Sequence, residues 1–312
     1  MRQSLLFPAA VVAPLLLPST LAADPSNKRG LVYVPSQEHP TDDNIWVRPG
    51  SDLSWYYNYG ASPSAAFLQH PEMEFVPMLW GAKDGDTGTE FYDTVKGLID
   101  SGKNISYVLA FNEPDGDPST GGSQIPADLA ASTWIREIEP LKKLGVKLCA
   151  PAVTGSPNGF VWLQNFFTEC AGRCSATCMP VHWYGNFEGL TSHIGQKMAA
   201  YPNCTIWVTE YADANNDLQS TQRFYNQSAE WFDRMENITH YSYFGSFRSD
   251  VSNVGPNAAM LDSKGQLTDI GSWYLGGDAT GNIPTAGAAG KSVVASGLLG
   301  LLAVVLSVWT VL

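Results

Sequence analysis

The sequence predicts an α/β protein built as a single (β/α)8 barrel of the TIM type. Three observations predict it. Eight short apolar runs rich in Val, Ile, Tyr, Phe and Trp recur along the chain and read as buried strands. Amphipathic stretches lie between them, and strands that alternate with helices pair in parallel. The first run, residues 31–34, leads into Pro35-Ser36-Gln37 and lacks the glycine-rich turn that opens a doubly wound nucleotide fold.

Residues 31–34 give the first strand, and 54–57, ahead of Asn58, give the second. The third is 75–79. A helix over 91–101 follows, with Phe91, Val95, Leu98 and Ile99 on one face. Residues 107–111 are the fourth strand. A helix over 129–144 then aligns Leu129, Trp134, Ile138 and Leu141 and stops at Gly145, which suits a left-handed C-cap. Strands five, six and seven are 146–153, 179–183 and 206–209. A helix over 218–235, carrying Phe224, Ala229, Trp231 and Phe232, precedes the eighth strand at 241–244. No proline-rich or charged linker and no repeat interrupts the series, so residues 29–275 are expected to be one domain after a short segment at 24–28.

The two ends differ from this body. Residues 1–23 join Arg2 to an apolar run over 5–17 and to the small residues Ala22-Ala23, the pattern of a secretory signal peptide. Residues 293–312 are a second apolar run with no charge and no basic cluster after it. Residues 276–292 ahead of it are rich in Gly, Ala and Thr. Small residues, a polar spacer and an apolar tail form a glycosylphosphatidylinositol (GPI) anchor signal, with attachment expected at Asp278 and the tail removed. A surface location on plasma membrane or cell wall follows. Asn104, Asn203, Asn226 and Asn237 each head an N-glycosylation sequon, in keeping with that route.

The formal net charge is −12, which excludes nucleic acid and anionic lipid surfaces as partners and leaves a neutral polymer open. The 10 Trp and 13 Tyr supply flat faces of the kind on which sugar rings stack. Five cysteines in an oxidising compartment predict two disulfides and one thiol. Cys149, inside an apolar run, is expected to be the thiol; the pairing of Cys170, Cys174, Cys178 and Cys204 stays open. The first three of those four are too widely spaced for a structural zinc pair and lack a suitably placed His. Asp213, Asn215 and Asp217 resemble the start of a calcium loop, but Leu218 stands where that loop needs Gly, so a helix cap is the better reading. No metal and no cofactor are expected, and a monomer is.

In a barrel the chemistry gathers where strands end. Those positions hold Asn58, Trp80, Asn112-Glu113, Thr154, His182-Trp183-Tyr184, Glu210 and Phe247-Arg248. Glu113 and Glu210 each follow an apolar run, where an unpaired carboxylate is costly. Two such residues facing each other across a barrel mouth fit glycoside hydrolysis, which needs one proton-carrying acid and one ionised carboxylate.

The ordered segments Asn112-Glu113-Pro114-Asp115, Ala150-Pro151-Ala152-Val153, Val181-His182-Trp183-Tyr184-Gly185 and Trp207-Val208-Thr209-Glu210-Tyr211 resemble the catalytic core of glycoside hydrolase family 128. That family includes fungal wall proteins called alkali-sensitive linkage proteins. The likeness runs over about residues 29–274. It implies a retaining enzyme acting on β-1,3-glucan, with Glu113 as acid/base and Glu210 as nucleophile. It also implies that Asn112 contacts the sugar 2-hydroxyl beside the nucleophile and that His182, Trp183 and Tyr184 line the subsites. Trp80 and Asn58, at other strand ends, are further candidates for substrate contact. A transglycosylase, or a glucan-binding or structural wall protein on the same barrel, are the alternatives. Both carboxylates are kept, which argues against the binding reading.

Overall fold

The computed structural model describes residues 27–286; the expected signal peptide and the apolar tail at 293–312 lie outside them. Among the described residues there are nine strands: β1 (Arg29–Val32), β2 (Trp55–Tyr57), β3 (Glu74–Phe75), β4 (Met78–Leu79), β5 (Tyr107–Asn112), β6 (Lys147–Ala152), β7 (Cys178–Tyr184), β8 (Thr205–Ala212) and β9 (Ile238–Tyr243). Every pairing between them is parallel, in the order β3-β2-β1-β9-β8-β7-β6-β5-β4. The result is an α/β fold on one curled sheet.

The sequence reading expected eight strands, and the difference lies in the third. Residues 75–79 split at Val76-Pro77 into β3 and β4, which stand at opposite ends of the strand order. Proline has no N–H to give a ladder. The Val76 amide still reaches Tyr56 O on the β2 side, whereas Pro77 O accepts from Leu109 of β5 at 2.8 Å.

The helices also depart from expectation. Besides α1 (Glu90–Asp100) and α5 (Leu218–Arg234), both foreseen, the chain forms α3 (Pro157–Cys170), α4 (Phe187–Ala200) and a short α6 (Asp269–Tyr274). The helix expected over 129–144 is only in part α-helical. It begins as α2 (Ala127–Thr133), widens to a π-type turn over Trp134–Ile138 and tightens to 3-10 over Glu139–Leu144. Pro140, which cannot donate to a carbonyl one turn back, accounts for the change of pitch. Gly145 ends it at φ 85°, as its sequence position suggests. Between β1 and β2, and between β2 and β3, there are only 3-10 turns, Pro40–Ile45 and Ala65–Phe67.

The core fills the inside of the sheet and the space beneath the helices. Its lower end is an aromatic plug from the starts of four strands. Trp207 stacks on His240 with ring centres 3.6 Å apart and meets Tyr107 at 4.6 Å and Trp55 at 5.1 Å. Trp55 is therefore a core residue and not a platform for sugar. With one end plugged, a ligand can reach the sheet only from the end where the strands finish.

Two disulfides and one thiol are present, but the thiol is not Cys149. Cys149 on β6 stands in register with Cys178 on β7, Cα atoms 4.5 Å apart, and the two are bridged. Cys170 bridges Cys174, and Cys204 is free and half-buried. An apolar setting says that a cysteine is buried, not what faces it; the parallel register of β6 and β7 supplies a partner that the sequence alone conceals. Asp217 caps α5 by accepting from Ser220 N, as the helix-cap reading required. Asn104, Asn203, Asn226, Asn237 and Asp278 are all exposed. Among the described residues no helix is long and apolar enough to cross a membrane.

The Cys149–Cys178 bridge spans 29 residues and Cys170–Cys174 only 4. Replacing the first pair by Ala should lower the unfolding free energy by about 2–4 kcal/mol in urea titration. Replacing the second should cost less, since a short loop has little closure entropy to lose.

Candidate active site

Glu113 follows β5 at a tight reversal. Its φ is 41°, a left-handed conformation uncommon for a residue with a side chain. Several bonds hold it there. Glu113 N donates to Ala152 O of β6 at 2.7 Å, and Gly116 N donates back to Glu113 O at 2.8 Å. Asp115 is the anchor. Its carboxylate accepts from Thr154 N at 2.8 Å and from the Thr154 hydroxyl at 2.5 Å, tying this turn to the end of β6. Gly122 lies so close to Gly116 that a Cβ would meet its backbone at 2.4 Å, which keeps the returning loop against the turn.

Glu210 lies within β8, and its pairing with β7 sets it opposite His182, after a register shift between Val181 and His182. Glu113, His182 and Glu210 thereby converge. His182, wholly buried, places Nδ1 3.0 Å from Glu113 Oε1 and 3.4 Å from Glu210 Oε2. One ligand-capable atom from each of the three lies within 4.8 Å of the others. His182 Nε2, on the other side of the ring, is buried with no hydrogen-bond partner. Asp86, Glu90 and Glu137 form a second such group, away from this site.

Both oxygens of Glu210 accept a phenol. Tyr59 donates to Oε1 at 2.7 Å and Tyr184 to Oε2 at 2.5 Å. Burial, and then the Glu210 charge, hold the Tyr59 and Tyr184 hydroxyls well above their ordinary pKa, so both remain donors. Burial pushes the Glu210 carboxyl up, and Glu113 adds to the rise; His182 and the two phenols oppose it. His182 is penalised by burial, yet the Glu210 charge and the bond to Glu113 outweigh that and raise it. Its charged form is thus favoured between the two acids.

The remaining sequence candidates are placed as follows. Asn112 is buried beside Glu113. Its amide nitrogen donates to Gly121 O at 3.0 Å, and its Oδ1 is left buried with no partner. Tyr184 is 38% exposed and edges the cleft. Trp183, one residue earlier in the strand, packs away from it. Its indole covers Gly155 and Gly189, lies 5.5 Å from the His193 ring and donates to Asn186 O. Asn58 uses its side chain within its own loop, donating to Ser62 O and Ser64 Oγ and accepting from Gly60 N. Trp80 is half-buried at the end of β4, and its carbonyl accepts from Asn112 N. The sequence reading names Asp115 and Thr154 but not the contact between them, and it omits Tyr59. Tyr59 was within reach, because it directly follows Asn58 at the end of β2.

Helix α4, behind Trp183, buries two further titratable side chains. Lys197 is wholly buried, its ammonium 4.7 Å from the centre of the Phe160 ring, with no hydrogen-bond partner. Burial pulls it down to about 7, against the pull of Asp115. Burial, then Lys197, take His193 down to about 4.

Several known proteins are similar to this chain. The family model described as the glycosyl hydrolase catalytic core matches residues 30–274. Alkali-sensitive linkage protein 1 of Schizosaccharomyces pombe is 29% identical over 259 residues, covering 80% of this chain and 44% of that protein. The chain thus spans less than half the length of that curated relative. A curdlan-specific exo-β-1,3-glucanase of glycoside hydrolase family 128, subgroup III, from Blastomyces gilchristii, solved with glucose, is 25% identical, with a TM-score of 0.63 over 81% of this chain and 99% of that one. A subgroup VII oligosaccharide-binding protein from Trichoderma gamsii shares the fold at 22% identity, TM-score 0.61, over 80% of this chain and 93% of that one.

Two measurements test the electrostatics. A donor to the ionised carboxylate lowers its pKa, so Tyr59→Phe should make Glu210 titrate at higher pH than in the wild type, read by carbon NMR of labelled Glu. The loss should also cost about 1.5–3 kcal/mol of stability, as for other bonds to a charged group. Lys197 gives a stability slope. Its pKa is near 7 when folded and near 10.5 when unfolded, so the unfolded chain binds more protons between those values. Stability should therefore rise with pH across that window, by up to about 1.4 kcal/mol per pH unit, and Lys197→Met should flatten the slope in urea titrations at pH 7, 8 and 9.

Proposed function

The chain belongs to the glycosyl hydrolase catalytic core family, of the family 128 type, and from that premise we propose that it is a retaining glycoside hydrolase acting on β-1,3-glucan at the cell surface. The observation that carries the chemistry is the triad in the cleft, two carboxyls bridged by His182 with oxygens within 4.8 Å. Retention uses carboxyls about 5–5.5 Å apart, whereas inversion needs about 6.5–9.5 Å to admit a water.

The hydrogen bonds divide the roles. The bridging imidazole stands nearer to Glu113, but Glu210 accepts two phenols, which favour its ionised form against the rise that burial imposes. Glu210 is the nucleophile, and its oxygen attacks the anomeric carbon. Glu113, at the tight turn after β5, gives its proton to the leaving glycosidic oxygen. It then takes a proton from the water that opens the glycosyl ester. His182, whose charged form is favoured between them, limits the cost of two acids at close range. Asn112, its amide fixed on Gly121 O beside Glu113, is the candidate for contact with the sugar 2-hydroxyl. Tyr184 forms part of the cleft wall.

The substrate reading rests on the activity of the Blastomyces neighbour and on a net charge of −12, which suits a neutral polymer. We read residues 74–79 as one kinked strand of an eight-stranded barrel, supported by the hydrogen bonds of that segment to both β2 and β5. A secretory route is supported by two disulfides and four exposed sequons, with GPI anchoring at Asp278 as its end point. Oligosaccharide binding without turnover is the second reading, favoured by the Trichoderma neighbour.

Laminarin incubated with the purified chain separates the two. Reducing sugar should be released, and proton NMR of the first product should show the β-anomer; an α-anomer would overturn both role assignments. Glu210→Gln should reduce turnover by at least about 10⁴-fold, as expected when a covalent nucleophile is lost. Glu113→Gln should keep its first step on aryl glycosides with good leaving groups and form a β-glycosyl azide when azide is added. Tight laminarin binding with no product from the wild type would select the binding protein.

A further inference from the structure

A groove of ≈ 690 Å³ lies on the outer face, between the ends of α3 and α4 and away from the carboxyl pair. Phe160, Phe167 and Tyr201 line it, together with Asn203 and Cys204. Phe167 and Tyr201 stand 5.7 Å apart at 45°, and both are half-buried.

The chain makes a tight reversal at the rim. Cys204 N donates to Tyr201 O at 3.1 Å, closing a four-residue turn with Pro202 and Asn203 at its corners. Tyr201 ends α4, and Thr205 begins β8. The sequence across the turn is Tyr201-Pro202-Asn203-Cys204-Thr205. It is a sequon with Thr in the hydroxyl place and an aromatic ring two residues before the acceptor. Asn203 is exposed. Asn203 and Tyr201 line the same groove, so a sugar joined to the Asn203 amide nitrogen starts within reach of the Tyr201 ring. The axial C–H bonds of an N-acetylglucosamine give it an apolar face, and a half-open phenol ring is a matching surface.

The other three sequons differ. Asn226 lies in the middle of α5, where Ser228 is fully buried. Asn104 turns its amide onto Ser106 Oγ at 3.3 Å. Asn237 sits in the short turn before β9, with Met235 two residues ahead of it where Tyr201 precedes Asn203.

We propose that Asn203 is an N-glycosylation site whose first N-acetylglucosamine is seated in this groove against Tyr201, covering the Cys204 thiol. The proposal rests on the secretory route proposed above. Glycan here is a structural part of the surface, closing a half-apolar groove and shielding the unbridged cysteine from oxidation and exchange. It has no part in the cleft chemistry.

The test uses the chain secreted from a eukaryotic host, with glycopeptide mass spectrometry and thermal melts. Asn203 should be occupied. Trimming the glycans to one N-acetylglucosamine should leave the melting temperature nearly unchanged, whereas Asn203→Gln should lower it by about 2–4 °C. In a Tyr201→Ala background the further change Asn203→Gln should shift it by less than about 1 °C, because the seat is already gone. Cys204 should react with a maleimide several-fold faster in Asn203→Gln than in the trimmed wild type. Glycan on Asn104 or Asn237 with Asn203 bare would overturn the seat and leave the secretory route standing. No glycan at any sequon would overturn both. Equal melting losses for Asn203→Gln with and without Tyr201 would show that the sugar does not rest on the ring.

Discussion

Two buried carboxyls at this spacing repel unless one keeps a proton or a positive group stands between them, and in this fold one imidazole nitrogen stands between them. His182 Nδ1 lies 3.0 Å from one acid and 3.4 Å from the other. Its neighbours on β7 and β8 exist in the arrangement that lets it do so. The register slips by one residue between Val181 and His182, which brings His182 opposite Glu210 and Tyr184 opposite Ala212. Side chains alternate along a strand, so His182 and Tyr184 share the inner face and Trp183 is sent outward to cover the glycines of the neighbouring segments.

Backbone strain on the β5 side serves the same end. A left-handed glutamate persists only where its surroundings over-determine it. Here Ala152 O, Gly116 N and the Asp115–Thr154 pair do so. The position of one carboxyl therefore depends on a threonine in another strand-end loop, and the position of the other on two phenols from β7 and the turn after β2.

Much of this was legible in the sequence. The apolar runs located the strands, and the position of Glu113 and Glu210 at the ends of two of them marked both acids, because a glutamate there is expensive unless it has a purpose. What stayed hidden is what depends on register and rotation. Cys149 looked like an isolated apolar thiol because nothing in the chain states that β6 sets it opposite Cys178. Trp183 and Tyr184 look alike in sequence, yet one residue of alternation puts the first under α4 and the second in the cleft. Tyr59 contributes through one hydroxyl at 2.7 Å, which no periodicity encodes. Helices α3 and α4 escaped notice because their glycines and aromatics blur the amphipathic pattern, and Pro77 divided a run that otherwise reads as one strand.

The pair of phenols on Glu210 has a further consequence in the proposed reaction. Whichever oxygen forms the ester, the other still accepts a hydrogen bond, since Tyr59 holds Oε1 and Tyr184 holds Oε2. Donors that hold charge on a carboxylate blunt its attack but ease its departure. Glu210 is thus tuned as a leaving group as much as a nucleophile, and the two tyrosines balance the formation of the glycosyl ester against its breakdown. The residue that starts the cycle is built to be expelled from it.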